Sequence, residues 1–171
     1  MTFKFRGHGY FGRAIQQEMG ELYVSTAIAD FAIAIVLLFE PIYLYAVMGY
    51  SVQEVLLFFA ATYGIYVILI PFGAKIISRF SYNHGILFSI PFQIAYWFLL
   101  FGAQDTPSLI YFAPLALAIQ KSLFWPSFHS IVARFARRGQ VGREFSGLYA
   151  IFNVTCIAGP MIGGLIAQRY G

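Results

Sequence analysis

Three ionisable side chains lie inside long apolar runs of this sequence: Asp30, Glu40 and Lys121. A charge at the centre of a bilayer costs about 2.5–3.5 kcal/mol on insertion scales, so such residues usually face a polar interior or pair with one another. We therefore expect a polar cavity at mid-membrane, with Lys121 paired to Asp30 or to Glu40. The alternative is a buried ion pair that only fixes how the helices pack.

The three residues are expected at different depths. Lys121 lies near the middle of its apolar run, whereas Asp30 lies roughly 7 Å towards the N-terminal side and Glu40 is displaced similarly towards the other side. Asp30 and Glu40 are ten residues apart, which at about 100° per residue points their side chains about 80° apart. The two carboxylates therefore need not share a partner.

The apolar runs that carry these residues predict an all-α membrane protein. Hydrophobic residues make up 60% of the chain and charged residues only 11%, against roughly 25% charged in soluble domains. A soluble bundle with a rich core is the alternative, but several runs are too long for it. We predict a tail over 1–21 and a transmembrane bundle over 22–171, with helices at about 22–47, 55–77, 85–104, 108–135 and 145–167.

The basic residues predict the orientation of this bundle. Nine lie on the side of the N-terminus: Lys4, Arg6, Arg13, Lys75, Arg79, Arg134, Arg137, Arg138 and Arg143. On the opposite side the sequence has only Arg169. Because short cytoplasmic loops carry the excess of Lys and Arg, the N-terminus is expected in the cytoplasm.

Several other kinds of chemistry are not indicated. The single cysteine, Cys156, cannot form an intramolecular disulfide, and the histidines (His8, His84 and His129) lie in three different segments, so no metal site is expected. No set of residues suggests catalysis, so we expect neither an enzyme nor a cofactor. The basic residues stand at the ends of apolar runs, which favours the lipid bilayer over nucleic acid as a partner.

Small residues cluster in the fifth apolar run, at Gly159, Gly163 and Gly164. Glycines four apart allow another helix backbone to approach closely. Pro160, beside the first of them, leaves the carbonyl of Cys156 without its helical donor and is expected to bend the helix.

From about Glu21 onwards the sequence resembles the N-terminal half of a major facilitator superfamily transporter. The segment 159–164 is similar to the family's fifth-helix antiporter motif, although Ser146 and Thr155 stand where that motif prefers glycine. Phe124-Trp125-Pro126, followed by a basic loop and Arg143-Glu144, resembles the family's fourth helix and the loop after it.

The segment Ala74–Leu87 resembles a degenerate copy of the family's cytoplasmic loop, Gly-x-x-x-Asp-Arg-x-Gly-Arg-Arg. Arg79 keeps the arginine, whereas Ser78 replaces the acid and Ser81 replaces the second glycine. The resemblance implies a gating role for Arg79, but the acidic partner of the usual gating ion pair is absent.

The resemblance implies alternating access between two six-helix halves, with the first and fourth helices lining a central cavity. Asp30, Lys121 and Glu40 would then lie on the pathway of a small solute, or of protons, across a plasma or inner membrane. The chain is interpreted as a truncated N-terminal half whose partner is the missing C-terminal half. The alternative function is a non-transporting membrane scaffold or subunit that docks through the small residues of the fifth helix.

Overall fold

The computed structural model describes residues 10–136 and 139–170, and the side chains of residues 20–136 and 139–169. All the regular structure in these ranges is helical. The elements are α1 (Tyr10–Leu37), α2 (Phe39–Ile42), a π-helical turn (Tyr43–Val47), α3 (Val52–Phe80), α4 (Tyr82–Gly102), a 3₁₀ turn (Pro107–Tyr111), α5 (Ala113–Phe135) and α6 (Val141–Tyr170).

Five segments of this structure are long and apolar enough to cross a membrane. They are Gly20–Val47, Val52–Phe80, Tyr82–Gly102, Pro107–Phe135 and Val141–Arg169, numbered here as the first to the fifth span. The prediction of an all-α membrane fold with about five spans is thus confirmed. Helix α1 already begins at Tyr10, inside the predicted tail, while residues 1–9 of that tail lie outside the described part of the chain.

A proline explains why the first span changes its helical geometry. Pro41 has no N–H to donate to the carbonyl of Leu37, and its ring crowds that carbonyl. Helix α1 ends at Leu37, and the chain continues through the short helix α2 into the π-helical turn. Four other prolines, at positions 71, 91, 126 and 160, lie within uninterrupted helices, as membrane helices tolerate.

The second span begins at a well-formed N-terminal cap. The backbone N–H and the hydroxyl of Ser51 both donate to a carboxylate oxygen of Glu54, at 2.8 Å each, and the N–H of Glu54 donates to the Ser51 hydroxyl oxygen at 3.3 Å. Such reciprocal bonds satisfy donors that the first turn of a helix otherwise leaves unpaired. Gly49, just before the cap, has a φ of 73°, which a glycine adopts without strain.

The chain divides into two compact units. In one, residues 1–40 and 132–171 bring α1 together with α6; the other comprises Pro41–Ile131 and so contains the second and third spans and most of the fourth. The second unit has a core of buried side chains: Leu44, Val55, Tyr96, Leu100, Ala103, Ile110, Ala113, Ala116 and Leu117. Beside this core the Tyr43 hydroxyl donates to the carbonyl of Leu100 at 3.4 Å and accepts from Gln104 Nε2 at 2.7 Å.

Candidate transport pathway and the helix contacts around it

Asp30 lies on α1 and is half-buried. Within its own unit, and among the described residues, its carboxylate has no hydrogen-bond or ion-pair partner. The thiol of Cys156, on α6, lies near this carboxylate. A carboxylate inside a membrane span is costly unless it faces a polar interior or pairs with another group, so a pathway role for Asp30 stays a prediction.

Glu40 lies in the short helix α2, between the end of α1 and the π-helical turn. Its side chain is only 6% exposed and takes part in an interaction within the chain. A buried carboxylate needs such an interaction to offset the loss of water around it. Irregular helix geometry of this kind occurs frequently at functional sites.

Lys121 lies near the middle of the fourth span and is half-buried. Its ammonium nitrogen stands 5.5 Å from the ring centroid of Tyr63 on α3, within the range of a cation–π interaction, and it has a further interaction in the chain. A cation–π contact contributes about 0.5–1 kcal/mol at exposed sites and about 2 kcal/mol when desolvated. Asp30 and Lys121 belong to different units, and their pairing stays a prediction.

The glycines of the fifth span lie against α1. A Cβ atom at Gly159 would stand 2.6 Å from the Cβ of Ala34, and one at Gly163 would stand 2.6 Å from the carbonyl oxygen of Ile35. Real Cβ atoms do not approach so closely, so only glycine fits at either position. Along both helices the numbers of the contacting residues rise together, which means that α1 and α6 run parallel.

The other two residues of that cluster are less constrained. A Cβ at Gly164 would meet only the Phe39 ring, at an ordinary distance of 4.0 Å. Pro160 lies inside α6, which continues as a helix from Val141 to Tyr170. The helix-packing role that was predicted for the whole cluster stays a prediction at Gly164 and Pro160.

A polar contact joins α1 and α6 towards their predicted cytoplasmic ends. The hydroxyl of Tyr23 donates to Glu144, with its carboxylate oxygen at 2.9 Å and its backbone carbonyl at 3.1 Å. Gly147 makes room for the Tyr23 ring, because a Cβ there would overlap the hydroxyl. A cavity of about 520 Å³ opens beside this contact, lined by Tyr23, Gln140, Arg143, Glu144, Ser146 and Gly147.

A smaller cavity, of about 320 Å³, lies in the second unit, between α3 and the 3₁₀ turn. Its lining is mostly apolar, with Tyr50, Glu54 and Tyr111 among its polar residues. Burial raises the pKa of the Tyr50 hydroxyl, and the nearby Tyr111 and Glu54 raise it further. The hydroxyl therefore stays protonated at neutral pH and remains a hydrogen-bond donor.

Arg79 is exposed in the last turn of α3, where a positive charge favours the helix C-terminus. Two residues later, Ser81 separates α3 from α4 with a φ of 102° and a ψ of 143°. Side chains other than glycine rarely adopt this backbone conformation. In the family's loop motif, which the segment Ala74–Leu87 resembles, the position of Ser81 holds the second glycine. The backbone geometry explains that preference, because glycine adopts such a conformation without strain.

Close helix contacts within the second unit were not predicted from the sequence. A Cβ at Gly73 would overlap the backbone of Ser122, and one at Gly85 would overlap the hydroxyl of Ser127. Both serine hydroxyls donate to carbonyls of their own helix, at 2.8 and 2.7 Å. The available signal was the pairing of glycine with serine on neighbouring apolar runs, which is typical of membrane helix interfaces.

No metal-binding cluster of three or more His, Cys, Asp or Glu residues occurs in the described part of the chain.

Residues 22–171 match the sequence profile of the Major Facilitator Superfamily. The chain belongs to the major facilitator superfamily. No curated protein matches the sequence. Members of this superfamily are transporters rather than enzymes, and the chain is accordingly a multi-pass protein of the lipid bilayer.

Membership gives the observed contacts a common setting. The family resemblance inferred from the sequence is confirmed by the match over residues 22–171. Two contacts that the sequence did not single out occur in the structure, one in each unit: the Tyr63 ring below Lys121 and the Tyr23–Glu144 hydrogen bond. With 19 Phe and 12 Tyr in the chain, nothing in the sequence distinguished these two tyrosines.

Proposed function

We propose that this protein moves a small solute across the membrane by alternating access, with Asp30, Glu40 and Lys121 on the pathway of the solute or of protons. The observation that carries the proposal is Lys121, a half-buried cation in the middle of a membrane span of a transporter-family chain. Because a charge facing lipid is costly, such a side chain faces water, solute or a counter-charge.

The proposal extends to the surroundings of the pathway. We place the N-terminus and the basic loops in the cytoplasm, and the protein in a plasma or inner membrane; the distribution of Lys and Arg supports that orientation. A second set of helices supplies the other wall of the cavity and rocks against the spans described here. Arg79, exposed beside the break at Ser81, contributes to gating on the cytoplasmic side.

The scaffold alternative has less support. It required the small-residue face of the fifth span to receive a partner protein. In the structure Gly159 and Gly163 are buried against α1, so this face is already covered within the chain. A scaffold also has little use for charged side chains inside its spans.

Transport can be tested before the solute is known. Cells that produce the original protein, Lys121→Ala or Asp30→Asn are compared by mass spectrometry of small solutes in the cells and in the medium. Lys75→Ala, an exposed lysine of the same unit, serves as the control, and membrane levels of all four proteins are matched. We expect at least one solute to be redistributed by the original protein and by Lys75→Ala but not by the other two. No redistribution at matched levels would contradict the proposal.

A further inference from the structure

One face of α5 combines a cation with aromatic rings. Lys121, Trp125 and His129 follow one another at intervals of four residues, which places them on one side of the helix at steps of about 6 Å. Lys121 and Trp125 are half-buried and His129 is exposed. The Tyr63 ring, from α3, lies under the ammonium group of Lys121. We call Lys121, Trp125 and His129, together with Tyr63 of α3, the α5 face.

The Trp125 ring is held by its neighbours on the same helix. Its centroid lies 5.4 Å from Phe124 and 6.1 Å from Phe128, both edge-on, and 5.6 Å from His129 at an angle of 39°. Phe124 and Phe128 are themselves stacked, at 5.7 Å and 10°. An indole fixed in this way loses little conformational freedom when a ligand packs against it.

Charge and depth decide what such a face can receive. A lysine in the middle of a span is costly if it faces lipid, and the residues one and two turns from it lie on the same side of α5. Helix α5 contains no Asp or Glu, and the only acidic residue of α3 is Glu54, nine residues before Tyr63. Within its unit the α5 face is therefore cationic at one end and aromatic along its length.

Resting on the transport function proposed above, we propose that the α5 face recognises a small organic anion that carries a planar aromatic ring. The anionic group binds the ammonium of Lys121, and the ring packs against Trp125 one turn away. Lys121 already has interactions in the chain, so binding is an exchange of partners. Such an exchange ties occupancy of the site to a change in the contacts of the fourth span.

Trp125 provides its own reporter, because the chain has only one other tryptophan, Trp97. The full protein carrying Trp97→Phe is placed in lipid nanodiscs, and the emission of Trp125 is followed during titration with benzoate. Benzylamine has the same ring with the opposite charge, and acetate has the charge without the ring. We expect a saturable change with benzoate, binding of acetate weaker by about tenfold or more, and no saturable change with benzylamine.

Substitutions assign the binding to the charge. Lys121→Gln should weaken the binding of benzoate by about tenfold or more, because a charge-assisted hydrogen bond is lost. Lys121→Arg keeps the positive charge and should retain the binding. Lys75→Gln is the matched control and should bind as the original protein does. A thermal melt checks that each variant is folded. If Lys121→Gln does not fold, the preference for benzoate over benzylamine in the Trp97→Phe protein decides the question.

Three results would overturn the proposal. The first is saturable binding of benzylamine in preference to benzoate, and the second is benzoate binding that Lys121→Gln leaves unchanged. The third is a change with benzoate that never saturates, since it reports only partition into lipid. These failures are distinguishable from failure of transport. Solute redistribution together with a preference for benzylamine would refute the anion site but not the transport function. Saturable benzoate binding without solute redistribution would refute the transport function but not the anion site.

Discussion

The two units of the molecule hold their helices together differently. Between α1 and α6 the contacts depend on missing side chains: Gly147, Gly159 and Gly163 let the helices meet closely along their length. In the Pro41–Ile131 unit a core of buried apolar side chains packs the helices together at one end. Elsewhere in that unit glycines of one helix face serines of another. Since lipid gives helices no hydrophobic reason to associate, both are solutions to close packing.

The difference bears on the transport that we propose. A parallel pair of helices in direct contact at three levels has few alternative arrangements, and we expect it to move as a body. The other unit carries the Lys121–Tyr63 contact and the aromatic rings of α5, which we expect to exchange partners when the proposed anion binds. The predictions below test whether this contrast holds, beginning with the largest expected effect.

Gly159→Leu should be the most damaging substitution in the α1–α6 pair. The added side chain would enter space occupied by Ala34 and the start of Ile35, and overpacking costs about 1–3 kcal/mol or more. The measurement is the thermal stability of the purified protein in detergent. Gly164→Ala, whose Cβ would be 4.0 Å from the Phe39 ring, is the control and should be nearly neutral. Equal stability of Gly159→Leu and the original protein would refute the close contact.

Gly73→Ala and Gly64→Ala, both on α3, should act in opposite directions. At Gly73 the new Cβ overlaps the backbone of Ser122, whereas at Gly64 nothing lies within 4 Å. We expect Gly73→Ala to lower the stability by about 1–3 kcal/mol and Gly64→Ala to raise it by about 0.5–1 kcal/mol, the helix preference of alanine over glycine. Similar effects at the two sites would mean that α3 does not approach α5 as described.

Ser81→Gly should stabilise the protein. The backbone at Ser81, with φ at 102°, imposes strain of about 1–3 kcal/mol on a residue with a side chain, and glycine removes it at some cost in chain entropy. We expect a net gain of about 1 kcal/mol, seen as a higher melting temperature. Ser78→Gly, inside the last turn of α3, provides the contrast and should be destabilising. A lower melting temperature for Ser81→Gly would contradict the assigned backbone.

Tyr23→Phe should lower the stability only modestly. It removes the hydrogen bond to Glu144 and keeps the ring beside Gly147, so we expect a loss of about 1 kcal/mol. Tyr149→Phe, at an exposed tyrosine of the same unit, should change nothing. If both variants melt like the original protein, the Tyr23–Glu144 contact contributes no stability to the α1–α6 pair.

The sequence predicted the features that depend on one segment at a time. Runs of apolar residues and the turns between them gave the five helical spans, and intramembrane charge identified Asp30, Glu40 and Lys121 as unusual. Most contacts between segments could not be predicted from the sequence. Gly73 opposite Ser122 and Tyr63 under Lys121 depend on how α3 and α5 are rotated and shifted against each other, and in a chain that is apolar on nearly every face no amphipathic pattern fixes that rotation.

Accessibility at position 63 is the measurement that tests most directly whether these spans line a transport pathway. A single cysteine replaces Tyr63 in a Cys156→Ser background, and a membrane-impermeant thiol reagent is applied from either side of the membrane. Another variant carries the cysteine at Ile157, an exposed apolar position of the fifth span. The account predicts that position 63 reacts from both sides and position 157 from neither. Labelling at position 157 but not at position 63 would contradict it.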